Sequence, residues 1–514
     1  MKSLIKNPWP WGIFGLALVL RILHWISVQQ TLPQMPLLGD AEVFDQYAWK
    51  IAAGAVREQV VGIHLLPVYL AFLSALYKVA GHVPALAVWT QMLLGSLTCV
   101  LCYKLGCLLW NQKAGLIAGI IAACHGLFIF FDALLLRSSL INFLEVLLFY
   151  FLLSYLRRPK LRAVAFAGIC LGTLVLLRTS FWFTVPGVIM WILISPPHLY
   201  PLPLQGERQG EGARILAVFR NRRTSVIAIG VFCLSLILTY QGWLFWFDRA
   251  IPKRDFLLTE TGLQFYLGNN PTASGTYVPQ KEFPPTIYGQ SVIARNYVGA
   301  EILVRSHEQQ SLSQPAVSDT VSDTAAVKHV QRESKVLVSL EEFDQYWFKR
   351  GKDFILQNPG RWLALEFKKL FLIFNAYEIP GSLDYDVLRR RSAVVSLPLF
   401  SFGLIAPLGL LGIFLTRDRW DAGASLLLIF SGLYLLTLLI TYVQMDLRLP
   451  LQLPLILFAA FALIKIPELF ASGQRRQLIL AVFLFLFFWG VVNSPNHLPR
   501  AQFQKNAEAL LMRI

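Results

Sequence analysis

Three acidic residues stand close together just beyond the first apolar run of the sequence. Asp40, Glu42 and Asp45 lie in the segment GDAEVFDQYAWK, which starts at Gly39. A carboxylate at the end of a membrane span can act as a general base or hold a cation. Acids in a loop are also often simply solvated, so their positions alone do not decide between these roles.

A second set of charged residues lies where apolar runs begin or end. Asp132 follows one run, Arg137 begins the next, Arg178 ends another, and Arg448 follows a turn between two more. Charges at a membrane edge are costly, which makes a functional role a fair hypothesis. Guanidinium groups can bind a lipid phosphate in bidentate fashion. The alternatives are arginines that reach lipid headgroups and buried Asp–Arg pairs. Because most of these charges fall on the face that carries Asp40, we favour a phosphate site.

Amide and lysine side chains form a third group of candidates. Asn269 and Asn270 lie in the segment FYLGNNPTASGTY, where amides could bind sugar hydroxyls or brace a turn. Lys368 and Lys369 lie in a stretch with helical spacing, which Glu378 follows. We treat the two lysines as weaker candidates for binding phosphate.

The elements that must position these residues are membrane helices. The chain has 514 residues, is 56% hydrophobic, has 15% charged residues and a mean hydropathy of +0.55. Its apolar runs are long enough to cross a bilayer, and only helices or closed barrels satisfy the backbone in lipid.

The net charge of +16 lies mostly in short loops, so it indicates topology and argues against nucleic-acid binding. The six cysteines fall inside apolar runs, which argues against a disulfide framework. The sequence lacks Walker, HExxH, Rossmann and serine-elbow motifs, which disfavours a nucleotide-driven pump or a zinc protease.

We predict an all-α polytopic membrane protein with about eleven transmembrane helices and a mixed outer-face loop domain. The predicted spans are 11–28, 84–107, 114–131, 138–156, 163–178, 181–195, 224–243, 396–415, 422–442, 449–466 and 477–493. The run 64–80 is a further candidate. If it does not cross, the Lys and Arg clusters of the short loops face the inside with the N-terminus, so we predict that it lies on the outer surface.

This topology predicts the domain organisation. The predicted parts are an N-terminal transmembrane module 1–243 with a catalytic first outer loop 29–83, an outer-face domain 244–395 with a flexible linker 306–335, a C-terminal transmembrane module 396–493 and an outer tail 494–514. The acids of the first loop, Arg137, Arg178 and Arg448 then all lie toward the outer face.

Several segments together resemble a known group of enzymes. They are Asp40–Gly54, Leu66–Leu70, Phe265–Pro271 with Gly275–Tyr277, Asn358-Pro359 with Lys369, Asn375, Glu378 and Pro380, and Arg448-Leu449-Pro450 with Pro454. The chain resembles the membrane glycosyltransferases of the GT-C fold, in the branch of the protein O-mannosyltransferases and the bacterial lipid A aminoarabinose transferase. The resemblance covers nearly the whole chain apart from 306–335.

The resemblance implies an inverting transfer of a sugar from a polyprenyl phosphate to an acceptor hydroxyl. It implies that the acid of the first outer loop is the general base, which we assign to Asp40 with Asp45 as the rival. The helix bearing Tyr47 and the segment 64–80 would form the roof of the site. Relatives often carry another acid near the start of the fourth span. Here that stretch reads LLLRS, so either Asp132 replaces this acid or the second acid is absent.

The resemblance also implies the partners and the location. The partners are a lipid-linked donor, an acceptor that is a protein, a lipid or a polysaccharide, and the bilayer itself. The protein would be a multi-pass protein of the bacterial inner membrane, with a cytoplasmic N-terminus and the active site on the outer face. The sequence identifies no cofactor, and whether a divalent metal binds is left open.

The competing hypotheses are a transporter or flippase for a lipid-linked saccharide and a non-catalytic assembly protein. A polymerase or ligase with a diphosphate-linked donor is close to the main hypothesis.

Overall fold

The computed structural model describes most of the chain, with gaps mainly in the outer-face domain. The described residues are 7–33, 35–55, 67–195, 211–250, 261–276, 293–294, 302–304, 336–338, 340–381, 383–396, 400–417, 421–496, 498 and 500. The predicted linker 306–335 and most of the predicted tail 494–514 lie outside them.

The N-terminal half is built from helices. They are α1 (Trp9–Thr31), α2 (Asp40–Ala52), α3 (Pro67–Ala80), α4 (Pro84–Leu109), α5 (Gln112–Ala123), α6 (Gly126–Asp132), α7 (Ser138–Arg157), α8 (Leu161–Leu177), α9 (Thr184–Ile194) and α10 (Glu211–Ala250). Two short 3-10 helices, Met35–Leu37 and Thr179–Phe183, precede α2 and α9.

The outer-face domain combines helices with a small sheet. It contains α11 (Thr261–Gly268), β1 (Ile293–Ala294), β2 (Ile302–Val304), β3 (Val336–Val338), α12 (Leu340–Gln357), α13 (Pro359–Phe374) and α14 (Tyr385–Arg389). The strand order is β1-β2-β3, with β1 antiparallel and β3 parallel to β2. The C-terminal module consists of α15 (Phe402–Leu415), α16 (Ala422–Ile440), α17 (Met445–Ala471) and α18 (Arg475–Val492).

Seven helices of the described chain are long and apolar enough to cross a membrane: α1, α4, α7, the segment Arg223–Phe247 of α10, α16, α17 and α18. The other predicted spans are occupied by shorter apolar helices. The chain is therefore an all-α polytopic membrane protein, while the count of eleven spans and the surface position of 64–80 stay predictions.

The predicted span 114–131 is not one helix. α5 ends at Ala123 and α6 begins at Gly126, because His125 adopts an extended conformation and forms an isolated β-bridge with Phe400. The ring Nδ1–H of His125 donates to the carbonyl oxygen of Phe400 at 2.7 Å. This interaction ties the break to the segment that leads into α15.

A buried ion pair joins α1 to α6 and packs against α4 in the N-terminal module. Arg21 of α1 donates through Nε to Oδ2 of Asp132 of α6 at 2.7 Å, and both side chains are almost fully buried. Gly95 of α4 faces the pair, and a Cβ at this position would lie 1.9 Å from Oδ2 of Asp132. The glycine therefore makes room for the pair between α1 and α4. Asp132 is a structural partner of Arg21 in this arrangement, which is one of the alternatives that the sequence left open.

We expect Gly95→Ala and Asp132→Asn to destabilise the protein strongly. Breaking one side of a buried pair costs about 3–5 kcal/mol, because the remaining charge loses its partner. The measurement is the thermal unfolding midpoint in detergent. Gly15→Ala on α1 is the matched control, since nothing lies within 4 Å of a Cβ there. Equal midpoints for Gly95→Ala and Gly15→Ala would contradict the proposed role of the pair.

Candidate active site at the outer face

A narrow pocket lies where four parts of the chain meet at the predicted outer face. α2, the α6–α7 turn, the segment after α13 and the start of α17 border it, and its cavity volume is about 30 Å³. It is lined by Asp40, Phe44, Phe131, Leu136, Arg137, Ser138, Gly381, Leu383, Gln444, Met445 and Asp446. The structure thus brings together the predicted residues Asp40 and Arg137, although they are far apart in sequence.

Asp40 begins α2. Gly39 precedes it with a φ of 65°, a left-handed conformation that glycine adopts without strain. Its carboxyl group therefore lies in the first turn, at the positive end of the helix dipole. Ala41, Phe44 and Ala48 form the buried face of α2 and pack it on the bundle. The local sequence thus places an acidic side chain at the pocket.

Asp45 points elsewhere. Its side chain is buried, the hydroxyl of Tyr77 donates to Oδ1 at 2.5 Å, and Nε2 of His82 lies 2.9 Å from Oδ2. Trp49 stacks on the ring of His82 with centroids 5.1 Å apart. Burial, and next the hydrogen bond with Asp45, raise the pKa of Tyr77, so that its hydroxyl stays a proton donor. Asp45 therefore joins α2 to α3, and it does not line the pocket.

Backbone hydrogen bonds join the segments around the pocket. The amide of Leu135 donates to the carbonyl of Pro36, which ties the first outer loop to the α6–α7 turn. The amide of Met445 donates to the carbonyl of Ile379, which ties the start of α17 to the segment after α13. Gly381 leaves room for the Gln444 side chain, because a Cβ there would lie 1.6 Å from its Nε2 and the amide would have to move.

Arg178 lies behind the pocket and not in it. It is buried and donates through Nη2 to Oδ2 of Asp446 at 2.9 Å and through Nη1 to the Asp446 carbonyl at 2.7 Å. A direct contact between Arg178 and a donor phosphate would require this pair to open. Arg137, by contrast, lines the pocket itself at the start of α7.

Arg448 is also occupied within the protein. Its Nη1 donates to the carbonyls of Leu372, Ile373 and Asn375 at the end of α13, and its Nη2 to the Tyr377 carbonyl. Nη2 also pairs with Glu378 at 2.5 Å, and Arg448 is fully buried. The side chain caps α13 and fixes the outer-face domain on α17. Arg448 and Glu378 therefore stabilise the site in this structure, and neither lines the pocket.

The GNNP segment is braced in a similar way. Nδ2 of Asn269 donates to the carbonyls of Phe265 and Ile440, and Nδ2 of Asn270 donates to the Tyr266 carbonyl. Of the two roles considered for these buried amides, the contacts match bracing. Their predicted role in sugar binding has no support from the geometry.

The two lysines differ sharply. Lys369 is fully buried, and its Nζ donates to the Leu439 carbonyl at 2.6 Å and to Glu366 at 2.8 Å. Burial lowers its pKa, and Glu366 partly offsets this effect. Lys368 is exposed, and neither lysine lines the pocket.

Tyr47 is half-buried beneath Lys50, whose Nζ lies 5.4 Å from the ring centroid, and it does not line the pocket either.

A second cavity is an open groove with a volume of about 970 Å³. It is bordered by α2 and α7, which also border the pocket, and by α3, α8 and α10. Its walls are mainly apolar, with Phe72, Trp243 and Trp246 as the aromatic members, while Lys78 and Arg249 supply cations. Sequence reasoning missed both cations. A signal was present, since each ends a segment that the predicted topology brings to the outer face.

The pocket also contains residues that sequence reasoning did not select. Ser138, Gln444 and Asp446 line it, and Asp446 is its second carboxylate. In the described part of the chain, no group of three or more His, Cys, Asp or Glu side chains is placed to hold a metal ion. Two acids and an amide are the potential oxygen ligands that the pocket offers to a cation, so a divalent metal stays a hypothesis.

Comparisons with known proteins gave structural matches only. No family model and no curated protein matches the sequence. The crystal structure of the apo oligosaccharyltransferase of Archaeoglobus fulgidus matches with a TM-score of 0.45 and 12% identity, covering 99% of this chain and 60% of that chain. The archaeal oligosaccharyltransferase AglB from Archaeoglobus fulgidus, in complex with an inhibitory peptide and a dolichol-phosphate, matches with a TM-score of 0.42 and 11% identity, covering 98% and 60%. This chain thus spans about 60% of their length. Since both TM-scores are below 0.5, the assignment of the site rests on the geometry of this chain.

We expect Asp45→Asn to reduce stability, because it weakens the interactions with Tyr77 and His82 that join α2 to α3. The loss should be about 1–3 kcal/mol, the usual cost of disrupting a buried polar contact. The measurement is thermal unfolding in detergent. Glu42→Gln is the control, since Glu42 is exposed on the same helix. A loss no larger than that of the control would show that Asp45 does not fix α2.

Proposed function

We propose that the protein is a membrane glycosyltransferase that transfers a sugar from a polyprenyl phosphate to an acceptor hydroxyl. The observation that carries the proposal is a pair of cavities with α2 and α7 as common walls. The pocket holds a carboxylate, Asp40, and a cation, Arg137, and the groove is apolar with further cations. These are the features that a reaction between a lipid-anchored phosphate sugar and a hydroxyl requires. The GT-C resemblance of the sequence agrees with it.

The groove suits the carrier lipid. Its apolar wall would bury prenyl units, each CH₂ contributing about 0.8 kcal/mol. Lys78 in the last turn of α3 and Arg249 in the last turn of α10 both line the groove. Their charges can therefore attract the phosphate. Ser138 lines the pocket, while Leu140 and Leu144 of the same helix line the groove. At a rise of about 1.5 Å per residue, Ser138 and Leu144 are about 9 Å apart along α7. We therefore propose that a lipid bound in the groove extends its sugar along α7 toward Asp40.

The chemistry follows from the residues of the pocket. Asp40 accepts the proton of the acceptor hydroxyl, and the acceptor oxygen forms a bond to the anomeric carbon of the sugar. The bond from that carbon to the phosphate oxygen breaks at the same time, and the phosphate leaves with the electron pair. Attack from the face opposite the phosphate inverts the anomeric centre. Arg137 stabilises the charge that develops on the phosphate.

The location of the reaction follows from the proposed topology. With the N-terminus in the cytoplasm, α2, the start of α7 and the start of α17 all lie at the outer leaflet. In a bacterial inner membrane the acceptor would approach from the periplasm, as a protein, a lipid or a polysaccharide. The carrier would be undecaprenyl phosphate, which we use as the probe below.

We expect Asp40→Asn to abolish transfer, because the amide cannot accept the proton of the acceptor. The assay follows the release of radiolabelled sugar from undecaprenyl phosphate mannose, glucose and arabinose derivatives in membranes containing the protein. The rate should fall by at least about 100-fold, which is the lower range of general-base contributions. Glu42→Gln controls for the loss of one carboxylate from α2. Equal rates for Asp40→Asn and wild type would exclude Asp40 as the base.

We expect the double variant Lys78→Gln/Arg249→Gln to raise the KM for the lipid donor about tenfold at low salt, with a smaller change in kcat. The difference should shrink at about 1 M salt, where the Debye length is only about 3 Å. Lys465→Gln on α17 is the control, since Lys465 lies outside both cavities. If the donor KM does not differ from that of the control at any salt concentration, the cations of the groove do not bind the carrier lipid.

A further inference from the structure

Asp446 is a carboxylate of the pocket that the base mechanism does not use. It lies in the first turn of α17, whereas Asp40 lies in the first turn of α2, and both side chains line the same cavity. Two acids from distant parts of the chain are thus placed around one small space. Asp40 is assigned to the acceptor hydroxyl, which leaves Asp446 to be explained.

The structure fixes the orientation of Asp446. Arg178 donates to its Oδ2 at 2.9 Å and to its backbone carbonyl at 2.7 Å. Tyr434 lies at the same arginine, with its hydroxyl 3.5 Å from Nη1, and that hydroxyl donates to the Leu447 carbonyl at 3.1 Å. Arg178 is itself 4% exposed and therefore cannot move without opening the bundle. One donor of this rigid group holds the carboxylate, and a second holds the backbone of the same residue.

One oxygen of this fixed carboxylate has no partner. Oδ1 of Asp446 is buried and accepts no hydrogen bond from the described residues. An ionised carboxylate can accept about four hydrogen bonds, and a buried acceptor without a donor costs free energy. Oδ1 therefore lacks a donor among the described residues, and Asp446 is a residue of the pocket that a substrate hydroxyl would enter.

We propose that Asp446 accepts a hydrogen bond from a hydroxyl of the transferred sugar and thereby selects which sugars are transferred. The inference rests on the proposed glycosyl transfer and adds to it a specificity-determining residue. The acceptor hydroxyl gives its proton to Asp40, so the remaining donors that enter the pocket with the substrate are the hydroxyls of the sugar. Arg178 positions Asp446 and does not itself contact the sugar.

Such a contact discriminates strongly between donor sugars that carry the hydroxyl and those that lack it. A site built to bind a hydroxyl rejects the analogue that lacks it, because the buried polar group is then left unpaired. The position of Asp446 on a rigid helix end confines the contact to one sugar hydroxyl. The wild-type protein should therefore distinguish a donor sugar from one of its monodeoxy analogues and tolerate the other analogues.

The experiment measures kcat/KM for the undecaprenyl phosphate sugar that wild type transfers and for its series of monodeoxy analogues. We expect one analogue to be about 100-fold poorer with wild type. With Asp446→Asn this ratio should fall below about tenfold, through slower transfer of the intact sugar. Arg178→Lys, which keeps the charge but loosens the hold on Asp446, should reduce the same ratio at the same hydroxyl. Glu468→Gln also replaces a carboxylate by an amide, but at the far end of α17, and should keep the wild-type ratio.

The outcomes separate this inference from the proposed function. A wild type that transfers the sugar but rejects no analogue overturns the role of Asp446 and leaves the transferase standing. The same conclusion follows if Asp446→Asn, or Arg178→Lys should the first variant fail to fold, retains the full ratio. A wild type that transfers sugar from none of the undecaprenyl phosphate donors overturns both.

Discussion

Every guanidinium that the bundle buries must be neutralised inside the protein, and the rest of the structure depends on this constraint. Arg21 pairs with Asp132, Arg178 with Asp446, and Arg448 with Glu378 and the end of α13. An unpaired charge is far more costly in such surroundings than in water. The three pairs therefore fix α1 on α6, the end of α8 on α17, and the outer-face domain on α17.

The cations that line the two cavities are distinct from these three arginines. Arg137, Lys78 and Arg249 lie at helix ends on the predicted outer face. A rigid frame with cations at its rim is suited to a lipid phosphate, because the charges are held in place before the ligand arrives. The frame also brings Asp40 and Asp446 to one pocket.

Much of the fold could be predicted from the sequence, since helices lie at the predicted apolar runs. The break at His125 could not, because it depends on a contact with Phe400, far away in the chain. Asp40 and Arg137 were candidates from residue type and position, and both line the pocket, while their roles stay predictions. The partners of Arg178 and the capping role of Arg448 could not be predicted, since side-chain partners from distant helices leave no local pattern. Asp446 was not assigned a role, because no local pattern shows that it lines the pocket.

The central claim is that the groove and the pocket form one site for a lipid-linked sugar. The most direct test is an electron cryomicroscopy structure of the full chain in nanodiscs with undecaprenyl phosphate bound. The account predicts prenyl density between α2, α3 and α10, with the phosphate within hydrogen-bonding distance of Lys78 or Arg249 and directed toward Asp40. Lipid bound in a different cavity, with its phosphate beyond reach of these cations, would contradict it.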